Sequence, residues 1–129
     1  MSTIKVNNLQ NASGGSNSTP EEIQQGRAKV WVNFNGTGTV SIRDDYNVNT
    51  ITDNGTGNYT VNTTITMSST NYAAIATVGG GSISNASEST QIISRGTTSF
   101  QIYVASDGTG GATYTLQNAS YVAAAVFGD

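Results

Sequence analysis

Three copies of one turn signal punctuate the chain: Asn35-Gly36-Thr37-Gly38, Asn54-Gly55-Thr56-Gly57 and Asp107-Gly108-Thr109-Gly110. Each leads into residues that alternate in strand fashion: Thr39-Val40-Ser41-Ile42, Asn58-Tyr59-Thr60-Val61 and, after Gly111-Ala112, Thr113-Tyr114-Thr115-Leu116. Asn-Gly and Asp-Gly are strong hairpin signals, because both central residues of a type I′ turn need positive φ. The second Gly of each copy can take the left-handed position of a bulge or longer loop at little steric cost. The chain therefore reads as a stack of β-hairpins.

Between the turns the period is two. In residues 27–34, Ala28, Val30, Val32 and Phe34 point one way, opposed by Arg27, Lys29, Trp31 and Asn33. In 59–67, Tyr59, Val61, Thr63, Ile65 and Met67 share a face, and in 98–104 so do Phe100, Ile102 and Val104. Such alternation belongs to half-buried antiparallel strands with one wet face. With Val40–Ile42, Tyr72–Val78, Thr90–Ser94, Tyr114–Leu116 and a final strand, about eight strands are expected, forming an antiparallel β-sandwich or a jelly-roll-like domain. Upstream, Thr19-Pro20-Glu21-Glu22 spells a capped helix start that Gly26 ends within two turns. Residues 1–19, rich in Asn, Ser and Gly, read as an extended anchoring arm, leaving 20–129 as the β domain.

The last strand differs from the others. Tyr121-Val122-Ala123-Ala124-Ala125-Val126-Phe127 is apolar on both faces. It is either a central strand covered on both sides or a surface that a second copy of the chain covers, since an apolar face left open is an aggregation hazard. The second reading makes Trp31, Tyr121, Val122, Ala124, Val126 and Phe127 candidate oligomer-interface residues. Trp31 faces away from the Val30, Val32 and Phe34 row, and Trp is enriched at interfaces. As an alternative, Trp31 with Tyr46 and Tyr59 could stack on a sugar ring while neighbouring amides bind its hydroxyls.

Chemistry-bearing residues are sparse. The chain has no His and no Cys, which removes the usual general base, the Ser and Cys triads, thiol chemistry and the commonest metal ligands. Ser2-Thr3-Ile4-Lys5 spells S-x-x-K but lies in the arm, without the helix that would bring Ser and Lys together. Asp44-Asp45 reads as a turn or a strand end, and as strand neighbours the two carboxylates would face opposite ways. Each Gly-rich loop offers at most one carboxylate to a cation, and none is followed by the Gly-Lys-Ser/Thr of a phosphate loop. No catalytic, cofactor-binding or metal-binding residue is therefore expected, and the chain is read as non-enzymatic. Only 10% of its residues are charged, against about 25% in an average domain, and the net charge is −3. Lys5, Arg27, Lys29, Arg43 and Arg95 are dispersed, so nucleic acid is not an expected partner. Membrane insertion and a secretory leader are not expected either, which places synthesis in a cytoplasm.

The run from Gly26 to Asp44, GRAKVWVNFNGTGTVSIRD, and the run from Asn47 to Asn62, NVNTITDNGTGNYTVN, resemble a module recurrent in tailed bacteriophages, especially marine ones. The resemblance covers residues 26 to about 75, and the opening Met1–Val6 with its Ser/Gly-rich arm is similar to the start of such proteins. It implies a virion structural protein of tail-fibre or capsid-decoration type: a homotrimeric β element that docks to other capsid or tail proteins and takes part in host attachment, with a host surface glycan as a further partner. The resemblance carries no catalytic residues and no cofactor.

Overall fold

The computed structural model describes residues 2–80, 88–107 and 114–128. Within them one helix, α1 (Pro20–Gly26), precedes nine strands: β1 (Val30–Asn35), β2 (Ser41–Tyr46), β3 (Val48–Asp53), β4 (Asn58–Thr63), β5 (Ala73–Gly79), β6 (Glu88–Arg95), β7 (Ser99–Asp107), β8 (Tyr114–Leu116) and β9 (Tyr121–Phe127). Two antiparallel sheets result, one ordered β2-β1-β9-β5 and the other β3-β4-β7-β6, with β8 extending the β4 side of β7. Hairpins join neighbours within a sheet, and the remaining connections cross between sheets. The domain is thus an all-β sandwich.

Alternation fixes which side chains meet between the sheets. Val30, Val32 and Phe34 of β1 with Val122, Ala124 and Val126 of β9 form one inner face. Tyr59 and Val61 of β4 with Phe100, Ile102 and Val104 of β7 form the other. All eleven are buried, and Phe34 meets Tyr59 edge-on at 5.2 Å between ring centres. Burying each of the larger aliphatic side chains contributes about 1.5–3 kcal/mol, so this interface is the main stabilising element.

One strand is not announced by alternation. Val48 and Ile51 of β3 lie three residues apart, an odd spacing that should put them on opposite faces. A register shift between Val48 and Thr50 absorbs the extra residue, so both turn inward, opposite Thr63 and Val61. A similar shift in β2, between the partners of Asn33 and Phe34, turns Ile42 and Asp45 inward and Asp44 outward. The acidic pair therefore lies next to the end of β2, the strand-end placement of the two the sequence allowed, with its carboxylates on opposite faces. The 59–67 run stops being a strand at Thr63, although half-buried Ile65 and buried Met67 keep pointing to the core.

The turn signals work differently from a two-residue type I′ turn. Neither Asn35 nor Asn54 has positive φ; the left-handed residues are the second glycines, Gly38 (φ 60°) and Gly57 (φ 63°), with Gly55 at φ 118°. Asn35 instead closes its loop with its side chain: Nδ2 donates to Thr37 O at 2.7 Å, and Oδ1 accepts from the Thr37 hydroxyl at 2.8 Å. The third copy's turn, Gly108-Thr109-Gly110, lies outside the described residues; its flanks pair through Asp107 and Tyr114.

The first two copies meet at one end of the sandwich. The Tyr59 hydroxyl lies 2.7 Å from Gly36 O and 2.8 Å from Asn118 Oδ1, so its one proton serves two acceptors. Asn118 Oδ1 also accepts the Gly57 amide at 2.8 Å, and the Gly36 amide donates to Ala119 O at 2.9 Å. Burial first, and then the charge of Asp53, pushes the Tyr59 hydroxyl up to about 12. The β8–β9 connection thereby fastens both Asn-Gly-Thr-Gly loops together.

Residues 2–27 stand apart from this core: none of them is buried. Thr19 caps α1 through a reciprocal box, accepting from the Glu22 amide at 3.1 Å and donating its own amide to Glu22 Oε2 at 2.8 Å. A small hairpin closed by Leu9 and Ser18 (2.8 and 2.9 Å) organises the arm. The arm enters β1 beside the β9 C-terminus, where the Lys29 amide donates to Val126 O at 2.8 Å. β1 then carries the chain about 20 Å to its Gly-rich loop, so arm and turn loops occupy opposite ends.

Candidate functional site

The two outer faces of the sandwich are chemically unlike. On the β3-β4-β7 face, amides and hydroxyls hydrogen-bond to one another across strands. Asn62 Nδ2 donates to Thr50 and Thr52 hydroxyls at 3.1 and 3.0 Å, Asn54 Nδ2 to the Thr60 hydroxyl at 2.8 Å, and Gln101 Nε2 to Asn58 Oδ1 at 2.7 Å. That face is built for water.

The outer face of the β2-β1-β9-β5 sheet has an apolar centre. Strand register sets two rows across it, Tyr46–Trp31–Ala125–Ile75 and Asp44–Asn33–Ala123–Thr77. Ala123 and Ala125 are short, so the centre sinks between Trp31 and Ile75 into a groove of about 290 Å³. Ile75 is 61% exposed, an unusual state for such a side chain, and Tyr121 is 51% exposed with the Arg43 guanidinium 4.0 Å above its ring. Asn33 stands in the groove lining, and its Oδ1 is buried without a hydrogen-bond partner. An unsatisfied buried acceptor costs about 1–3 kcal/mol, which a donor from another molecule would recover.

This face collects some of the residues expected from the sequence and rejects others. Trp31, Tyr121 and Phe127 point outward, and register sets Tyr46 directly beside Trp31. Val122, Ala124 and Val126 do not belong to it: they are 0, 6 and 1% exposed, because alternation along β9 turns them into the chain's own core. Tyr59 likewise lies in the core at 0% exposure, tied to Gly36, and cannot stack on a sugar. Ile75, Asn33, Ala123 and Ala125 were missed; period two applied to the last strand would have selected Ala123 and Ala125 over Ala124.

A second exposed apolar cluster lies on the arm. Ile4, Val6 and Leu9 line a groove with Pro20 and Ile23 of α1, and Ile4 is 88% and Leu9 53% exposed. Among the described residues no three His, Cys, Asp or Glu side chains gather to hold a metal, and no helix is long and apolar enough to cross a membrane. Asp44 and Asp45 serve local backbone: Asp44 Oδ1 accepts the Asp45 amide at 3.0 Å, and Asp45 Oδ2 accepts the Val48 amide at 3.2 Å. Comparison with protein-family models, curated proteins and solved structures returns no match.

Proposed function

We propose that this chain is a non-enzymatic structural protein of a tailed-bacteriophage virion, a short fibre or fibre-like surface component that assembles with copies of itself. The observation that carries the assembly half is the outer β2-β1-β9-β5 face, with exposed Ile75 and the unpartnered Asn33 Oδ1 in one apolar groove. Four strands about 4.8 Å apart and roughly six residues long give that face on the order of 400 Å². A stable interface takes about 800 Å² from each partner. The exposed Ile4, Val6, Leu9 and Ile23 of the arm and α1 supply further apolar surface, so arm and sheet face act together.

The virion half rests on the resemblance carried by residues 26 to about 75, which also supplies the homotrimer. Polarity of the domain fits this role. The arm leaves from one end, where it docks to capsid or tail proteins, and the Asn/Gly/Thr loops occupy the other end, facing outward. The polar β3-β4-β7 face stays solvated and available for host attachment. Immunogold labelling of particles from a lysed producer culture tests the assignment. Gold at fixed positions on heads or tails is the expected result, with head labelling marking capsid decoration and tail labelling a fibre; a protein that never sediments with particles would refute it.

A further inference from the structure

At the β8 end of the polar sheet lies a third groove, of about 250 Å³, lined by Ser89 and Gln91 of β6, Tyr103 and Ala105 of β7, and Tyr114 and Leu116 of β8. Register builds it. Gln91 stands opposite Tyr103, while Ala105 is flanked by Ser89 on one side and Leu116 on the other. Ala105 is the floor because its side chain is the shortest of the six, and the taller neighbours make the walls. Tyr114 is 73% exposed, more than any other Tyr among the exposed large side chains, and Leu116 is 37% exposed.

We infer that this groove binds a neutral saccharide. Two phenol rings offer flat apolar faces to the C–H side of a pyranose, and the Gln91 amide and Ser89 hydroxyl offer donors and acceptors to its hydroxyls. Among the described residues the lining has no charged side chain, so a polyphosphate or an anionic sugar finds no cation there to pair with. Pockets that enclose a drug-sized ligand measure about 300–1,000 Å³. This one is smaller and suits one ring of a longer chain lying across the sheet. Beyond Tyr103, the Gln101–Asn58 pair extends a hydrogen-bonding row along the same face. The site belongs to the single chain and holds whether or not the protein is a virion component.

The test is an amide-resolved NMR titration of the full chain with maltohexaose, chitohexaose and mannohexaose at millimolar concentration. At least one should shift the amides of Gln91, Tyr103, Ala105 and Leu116. Tyr114→Ala, which removes an exposed ring, and Ala105→Leu, which fills the floor, should each weaken binding roughly tenfold, the loss of one stacking contact. Unchanged thermal unfolding of Tyr114→Ala separates lost binding from lost folding. No shift with any of the three, shifts confined to the Trp31 face, or shifts unaffected by both substitutions would overturn the assignment.

Discussion

Tyr59→Phe removes one oxygen from the point where the two Asn-Gly-Thr-Gly loops meet, and its cost can be worked from the contacts. The hydroxyl is the donor to Gly36 O at 2.7 Å in a buried setting, and the ring above it is fully buried and edge-on to Phe34. Phe keeps the ring and its packing, so the hydrophobic term hardly changes. What is lost is one net hydrogen bond, about 1 kcal/mol, and the Gly36 carbonyl is left without its donor, for a total of about 2 kcal/mol. Asn118→Ala removes the acceptor of the Gly57 amide at 2.8 Å as well as the second acceptor of Tyr59, and should cost a similar amount. Because the two side chains share a network, the double variant should fall short of the sum by about 1 kcal/mol. Urea unfolding followed by Trp31 fluorescence, at fixed protein concentration, measures all three. A Tyr59→Phe cost below about 0.5 kcal/mol, or strict additivity, would refute the idea that these side chains fasten the two loops together.

Gly57→Ala would place a Cβ 2.4 Å from Val104 O at φ 63°, whereas Gly38→Ala meets open space at φ 60°. Gly38→Ala should cost about 1–2 kcal/mol for the left-handed backbone alone, and Gly57→Ala distinctly more, as paired urea midpoints will show. With Tyr59 held near 12 in the folded chain and near 10 in the unfolded one, the unfolded chain releases its proton first. Stability should therefore be intact below pH 10 and fall as the pH rises through about 12, more steeply than in Tyr59→Phe, by alkaline denaturation. Deleting residues 1–17, of which 2–17 lie outside the core, should leave the fold intact, as matching circular dichroism will show, while abolishing attachment to particles.

How far the sequence disclosed this molecule depends on how faithfully each strand keeps its period. β1, β4 and β7 alternate cleanly, and their inward residues are legible as core from the sequence; β9 is apolar at every position, so the sequence does not separate its core residues Val122, Ala124 and Val126 from its outward ones. β3 was not legible, because its register shift puts Val48 and Ile51 on one face at an odd spacing. The Asp44-Asp45 pair was legible as a strand end with its carboxylates on opposite faces, but not the register shift just before it. The repeated turn signal located two hairpins correctly but not their geometry: Gly38 and Gly57 carry the left-handed backbone, and Gly36 is needed because Tyr59 Oη would lie 2.6 Å from a Cβ there. No local pattern contains that contact, which joins residues 23 positions apart. The apolar outer face was half legible. An all-apolar final strand announced an apolar outer face beside its core face, yet its partners Ile75 and Asn33 come from β5 and β1, and only the sheet order brings them together.

The claim on which the functional account turns is that the Trp31–Ala125–Ile75 face is covered by another copy of the chain. Sedimentation equilibrium of the full chain at micromolar concentration, compared with Ala125→Arg, tests it most directly. Arg at position 125 puts a charge at the centre of the groove on a half-buried outward position, where the fold itself can tolerate it. The account expects a trimer mass for the wild type, a monomer mass for Ala125→Arg, and matching circular dichroism for the two. A wild-type chain that sediments as a monomer, or an Ala125→Arg chain that stays fully assembled, would contradict it.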